Sequence, residues 1–155
     1  MQFNLQRKKE REEPGNTALM YLFDTDVLSN VVKENPSPYL LKRLKKIPRE
    51  IQFSTAINMA EIYYGAHKSP NREKIIRIFE EKVFPNVTIL AFDEGSARVY
   101  GKIKAKLENK GLVKSEPDLR IASIAIQHQL ILITRNIKHF KDIPGLHVEN
   151  WRACQ

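Results

Sequence analysis

From Met20 onward the chain alternates short apolar runs with longer segments whose apolar positions recur every three or four residues. Met20-Tyr21-Leu22-Phe23 is apolar and stops at Asp24, the signature of a short buried strand. Asp24-Thr25-Asp26 supplies capping side chains for a helix over about 26–34, which Asn35-Pro36 ends. Ser37 caps the next helix with Pro38 in its first turn. There Leu40, Leu41, Leu44 and Ile47 share one face, and Lys42, Arg43, Lys45 and Lys46 lie on the other. Ile51–Ser54 reads as a second strand. Thr55 opens a helix to about His67, and Ser69-Pro70 another to about Val83. Val87–Phe92 is a third strand. Asp93 caps a long helix with Val99, Ile103 and Leu107 at four-residue steps, ended by Gly111. Ser115-Glu116-Pro117-Asp118 starts a helix to about Gln129 that is apolar on most sides and therefore buried. Leu130–Thr134 is a fourth strand. A short helix at Ile137–Phe140 and a last strand near His147-Val148 complete the pattern.

Alternating strands and helices specify a mostly parallel sheet of 4–5 strands with helices on both faces, an α/β three-layer sandwich. Residues 1–19 do not join this pattern. They are polar and of mixed charge, and Pro14-Gly15 breaks any helix begun at Lys8–Glu13. We read them as a charged N-terminal appendage and 20–155 as the domain. The chain has 155 residues, enough for one self-sufficient core. The single cysteine, Cys154, excludes an internal disulfide and agrees with a reducing compartment. No run approaches the roughly 18 apolar residues of a membrane span, and the first residues lack a signal-peptide core. The expectation is a cytoplasmic protein without a membrane partner. The net charge of +8 favours contact with a polyanion such as nucleic acid.

Sheets of this kind bind ligands beyond the carboxyl ends of their strands. Asp24 lies at that end of the first strand, and Asn136 lies just past that end of the fourth. Asp118 begins the helix leading into the fourth strand. Taken singly, Asp24, Asp26, Asp93 and Asp118 read equally well as helix caps. Glu61 is different, because its helix, Ala56–Ala66, is largely apolar and a carboxylate there needs a partner, for which a metal ion is one candidate.

These residues also resemble a known family. Tyr21-Leu22-Phe23-Asp24-Thr25-Asp26-Val27-Leu28-Ser29 resembles the opening motif of PIN-domain ribonucleases, specifically VapC-type toxins of toxin–antitoxin pairs. Ser54–Ile57 with Glu61–Ala66 resembles their second motif, and Gly111 followed by Asp118–Ala125 the third. Thr134-Arg135-Asn136 with His139-Phe140 resembles the fourth, and Leu146–Trp151 the usual ending. The motifs run in order from Met20 to Trp151. The resemblance implies a PIN-like fold and an endoribonuclease that cleaves RNA with metal-activated water. It implies catalytic residues Asp24, Glu61, Asp118 and Asn136. The first three would hold Mg²⁺, with Mn²⁺ as a substitute. It further implies an antitoxin partner and a homodimer. Two positions depart from the wider pattern: Asn136, where an acid is common, and Asp26, where Asn is usual.

Mg²⁺ takes oxygen ligands, and bound near a phosphodiester it activates water and offsets developing charge. Lys114, Arg120, Arg135 and Lys138 flank the acidic motifs and are candidate phosphate contacts, though each reads equally as surface charge. The four histidines show no zinc-ligand spacing. Tyr63 and Tyr64 read as helix-packing residues before base-stacking ones, and Trp151 as a core lid. Two other functions fit parts of the pattern. A haloacid-dehalogenase-type phosphatase would use Asp24 as nucleophile, but too little chain follows Thr134 for its later motifs. A non-catalytic RNA-binding module would keep the basic surface without cleavage.

Overall fold

The computed structural model describes residues 19–151. The appendage expected over 1–19 thus lies, apart from Leu19, outside the described residues, as does Cys154. Five strands, β1 (Tyr21–Phe23), β2 (Gln52–Thr55), β3 (Thr88–Leu90), β4 (Ile131–Ile133) and β5 (Val148–Glu149), form one sheet in the order β3-β2-β1-β4-β5. Every pairing is parallel, with Leu22 opposite Phe53 on one side and Leu132 on the other. The helices are α1 (Thr25–Val31), α2 (Pro38–Lys45), α3 (Ala56–Lys68), α4 (Arg72–Ile78), α5 (Glu94–Asn109), α6 (Glu116–Gln127) and α7 (Ile137–Phe140). The chain moves from β1 outward to β2 and β3, then returns to the far side of β1 as β4 and β5. The reversal puts a crevice between the carboxyl ends of β1 and β4.

Strand side chains alternate between two cores, as a pleat of period two requires. Leu22 and Leu132 face one core, with Ile103 and Leu107 of α5 and Leu119, Ile121, Ala122, Ile124 and Ala125 of α6. Phe23, Ile131 and Ile133 face the other, with Val27, Leu28, Leu40 and Ile62 of α1, α2 and α3. The result is the expected three-layer sandwich. Trp151 closes the second core, with Tyr21 and Phe23 at ring distances of 4.8 and 5.7 Å.

Capping follows the sequence closely. Ser37, Thr55, Asp93 and Ser115 each accept a first-turn backbone N–H through their side chains. Two helices end earlier than their patterns suggest. The first stops at Val31, next to a second β-branched residue, and buried Asn30 instead accepts the Ser37 N–H that begins α2. The one expected to reach Val83 is α4 only to Ile78 and then widens, with the Phe84 N–H reaching the Phe79 carbonyl. Proline at 85 has no N–H to continue the helical ladder.

Helix α5 ends in a Schellman turn: the N–H groups of Gly111 and Leu112 donate to the carbonyls of Glu108 and Leu107. Gly111 has φ +69°, and a Cβ there would meet no atom within 4 Å. Gly111→Ala therefore introduces backbone strain without a clash. The expected cost is about 1–2 kcal/mol, read as a lower midpoint with unchanged m-value in urea unfolding. No loss of stability would show that the turn is not held in the left-handed conformation.

Candidate active site

Asp24 occupies the first position after β1, where its N–H donates to the Ile133 carbonyl at 2.9 Å and completes the β1–β4 ladder. Its carboxylate is therefore carried into the crevice, and only 6% of the residue is exposed. Three donors hold it. Oδ1 accepts from the Thr25 N–H and from Asn58 Nδ2, each at 2.9 Å. Oδ2 accepts from the Thr134 hydroxyl at 2.7 Å. Asn58 also donates to Thr25 Oγ1 at 3.1 Å, and that hydroxyl donates to Glu61 Oε2 at 2.7 Å. A relay of neutral groups thus ties the acid of α3 to the acid after β1.

Glu61, Asp118, Asn136 and Asp24 line one open cavity of about 680 Å³, together with Asp26, Thr25, Lys114, Lys138 and His139. Asp26 Oδ2 accepts from the Arg135 N–H at 2.9 Å, and the Arg135 guanidinium stands 3.9 Å from it. Asp26 Oδ1 is buried without a hydrogen-bond partner. Asp118 lies in the first turn of α6, where its N–H donates to the Ser115 hydroxyl, and its Oδ2 lies 3.6 Å from His139 Nδ1. The Asn136 N–H donates to the Thr134 hydroxyl at 3.1 Å.

The basic candidates divide. Lys114 and Lys138 line the cavity, and Lys114 Nζ donates to the Lys138 carbonyl at 3.4 Å. Arg135 reaches the cavity only through Asp26. Arg120 does not line it; its guanidinium sits 3.9 Å from Glu116 and 5.9 Å from the centre of the Phe92 ring.

The charge on Asp24 is out of balance. Burial pushes its pKa from 3.8 to about 6, the hydrogen bonds from Thr134 and Thr25 oppose the rise, and the charges of Asp26 and Glu61 add to it. A buried carboxylate beside two others, next to a buried and unpartnered carboxylate oxygen, is an environment that a cation relieves. The donor atoms are all oxygens, which suits a hard divalent ion. Among the described residues, however, no three His, Cys, Asp or Glu side chains converge as a group that would hold an ion. The acids share a cavity without forming a closed cage. An ion held there would take part of its coordination sphere from water.

Two groups that hold the site were not singled out from sequence. Asn58 is wholly buried and stands one turn before Glu61 in the same apolar helix, so the argument that exposed Glu61 as misplaced applied to it as well. Thr134, also wholly buried, reads from sequence only as a strand end and the start of the fourth motif, without a role at the site.

A PIN-domain family model matches residues 21–146. Ribonuclease VapC2 of Haemophilus influenzae is 35% identical over 133 residues, covering 86% of this chain and 98% of that protein. The tRNA(fMet)-specific endonuclease VapC of Salmonella typhimurium is 29% identical, with the same coverage of both chains. The fold also matches the crystal structure of VapBC2 from Rickettsia felis bound to a promoter DNA fragment, with a TM-score of 0.79 and 30% identity. That match covers 86% of this chain and 99% of the other. The family model and the fold define a PIN domain. Within that class the chain belongs to the VapC ribonuclease family.

The raised pKa of Asp24 fixes a sign for the pH dependence. The folded state holds this proton more tightly than the unfolded chain. Its contribution to stability is therefore complete below about pH 4 and lost as pH rises through about 6, leaving a penalty on the order of 3 kcal/mol above that. In EDTA, the melting temperature of wild type should fall across this window relative to Asp24→Asn. Millimolar Mg²⁺ at neutral pH should recover the loss in wild type only. Parallel curves for the two proteins would contradict the assignment.

Proposed function

We propose that this VapC-family chain is a Mg²⁺-dependent endoribonuclease, with Mn²⁺ as an alternative ion, and that it hydrolyses RNA phosphodiester bonds at the Asp24 cavity. The observation that carries this reading is the buried, over-charged Asp24, set in one cavity with Glu61, Asp118 and the unpartnered Asp26 oxygen. The cation, when bound, would activate water and offset charge on the phosphoryl oxygens.

The protein's own groups do the rest. Asp24, Glu61 and Asp118 would hold the ion, and the available lone pair on Asp24 Oδ2 suits it. Thr134 and Asn58 fix the Asp24 carboxylate so that it need not reorganise during reaction. Lys114 and Lys138, at the rim, draw the phosphate backbone toward an otherwise negative well. Arg135 and Arg120 would contact strands extending beyond it. Asn136 offers an amide to the reacting phosphate or to water.

The phosphatase alternative loses its footing, because the family match over residues 21–146 is to PIN domains. This reading places the protein in the cytoplasm as the toxin of a pair, working as a homodimer and held inactive by an antitoxin. Among the described residues no helix is long and apolar enough to cross a membrane.

Purified protein with Mg²⁺ should cleave unstructured RNA, and EDTA should stop it. Asp118→Asn should cost at least about 100-fold in rate, the usual loss when one electrostatic group of this kind is removed. Expression should arrest growth, and Asp24→Asn should relieve the arrest. Binding without cleavage in either metal would favour the non-catalytic RNA-binding module. Cleavage that survives both EDTA and Asp118→Asn would place the chemistry elsewhere.

A further inference from the structure

The acidic cavity does not end at Asn136 and Lys138. Ile137, between them in sequence, forms one wall of a second depression of about 470 Å³, bounded also by Tyr39, Arg43, Asn150 and Trp151. A third, of about 390 Å³, shares Tyr39 and Arg43 and adds Lys42 and Lys46. The second and third depressions thus adjoin through Tyr39 and Arg43 as one groove beside β5 and α2, and Ile137 sets its near end next to Asn136 and Lys138 of the acidic cavity.

We propose that this groove is a binding track for single-stranded RNA, feeding the strand from α2 into the acidic cavity. The proposal rests on the nuclease reading for the fate of the strand, but not for its binding. Lys42, Arg43 and Lys46 form no ion pair among the described residues. The one acid on the wall, Glu149, is already engaged: its Oε2 accepts from Trp151 Nε1 at 2.9 Å, and its Oε1 lies 3.6 Å from His147 Nε2. Arg43 and Glu149 offset each other in the depression nearest the acids, and the groove becomes positive toward α2, where Lys42 and Lys46 join Arg43.

Arg43 is ordered before any ligand arrives, with its guanidinium 4.2 Å from the centre of the Trp151 ring. A planar guanidinium held in place loses little freedom on binding a phosphate. Tyr39 stands between the two depressions with 37% of its surface exposed, a ring available for stacking. Basic side chains along a groove with an interposed aromatic ring are the elements that bind single strands without sequence preference. Bases already stacked inside a duplex cannot use Tyr39, so the track selects single strands. An acidic protein segment would share the charge complementarity of the basic stretch but brings no base to stack on Tyr39, whereas a single strand uses both the basic side chains and the ring.

The test measures anisotropy of a fluorescein-labelled unstructured RNA strand and of its duplex form. It uses the full chain, EDTA and about 150 mM KCl, where charges more than about 8 Å apart are largely screened. Tyr39→Ala should weaken the single strand about tenfold and leave the duplex unchanged. The exposed pair Lys42→Glu/Lys46→Glu should weaken it by at least about tenfold and reduce the log–log salt slope by about 1.4, roughly 0.7 per lost contact. The matched pair Lys102→Glu/Lys106→Glu, on α5 over the opposite face of the sheet, should change affinity less than about twofold. Should Tyr39→Ala melt at the assay temperature, the lysine pair decides alone, since both positions are exposed. Equal losses from the two pairs would reduce the effect to net charge and overturn the track. So would groove variants that alter sedimentation of the protein alone, which would make the groove a contact between copies of this chain. The nuclease reading fails separately. Wild-type cleavage with an unchanged KM in the groove variants removes the track and leaves the nuclease. Tyr39-dependent binding without cleavage in any divalent ion removes the nuclease and supports the track.

Discussion

The structure turns on one buried charge. Asp24 sits where β1 ends and the sheet reverses direction, so its backbone completes the ladder while its side chain enters the crevice. A carboxylate in that position is tolerated only because neutral donors surround it: the Thr25 N–H, Asn58 from α3 and Thr134 from the end of β4. These bonds join three parts of the chain that meet only after the sheet has formed. Fold and site are therefore assembled by the same contacts. The hydrogen bonds do not cancel the cost of burial, and with the charges of Asp26 and Glu61 adding to it the carboxyl stays raised to about 6. The site is held in readiness for a positive charge by a framework that is itself uncharged.

Division of labour between acids and neutral groups explains the openness of the cavity. Four carboxylates facing one another repel, so without a cation between them they have reason to stay apart. Only Asp24 is locked on both oxygens. Glu61 is tethered through Thr25, Asp118 by the start of α6, and Asp26 through one oxygen. A fixed carboxylate flanked by less constrained ones would suit an ion that keeps much of its water.

Much of this was legible in the chain. The strand end at Phe23, helix starts at Thr55, Asp93 and Ser115, and the burial of α6 follow from periodicity and capping chemistry that operate locally. Parallel order followed from alternation, and the carboxyl-edge rule then brought Asp24 and Asn136 to one rim. Asp118 and Glu61 were identified as well, Glu61 because an acid in an apolar helix is conspicuous. Asn58 was missed although it shares that helix, since an amide among apolar residues reads as a tolerated polar group until its partners are known. Thr134 looked like the end of a strand, and nothing local shows that its hydroxyl reaches across more than a hundred residues to Asp24. The role of Asp26 stayed open for the same reason, because an unpartnered oxygen is a property of packing. The depressions beside Tyr39 and Arg43 likewise exist only where α2 lies against Trp151, from opposite ends of the chain.

The central claim is that Asp24, Glu61 and Asp118 serve one cation. Water-proton relaxation during titration with Mn²⁺ tests it directly, because the enhancement reports ion bound to protein regardless of activity. The account predicts saturable binding in wild type that weakens about tenfold or more in each of Asp24→Asn, Glu61→Gln and Asp118→Asn, the order of loss expected when a charged ligand is removed. Binding that is indifferent to any of the three would contradict a shared site, and absence of binding in wild type at millimolar Mn²⁺ would contradict the site altogether.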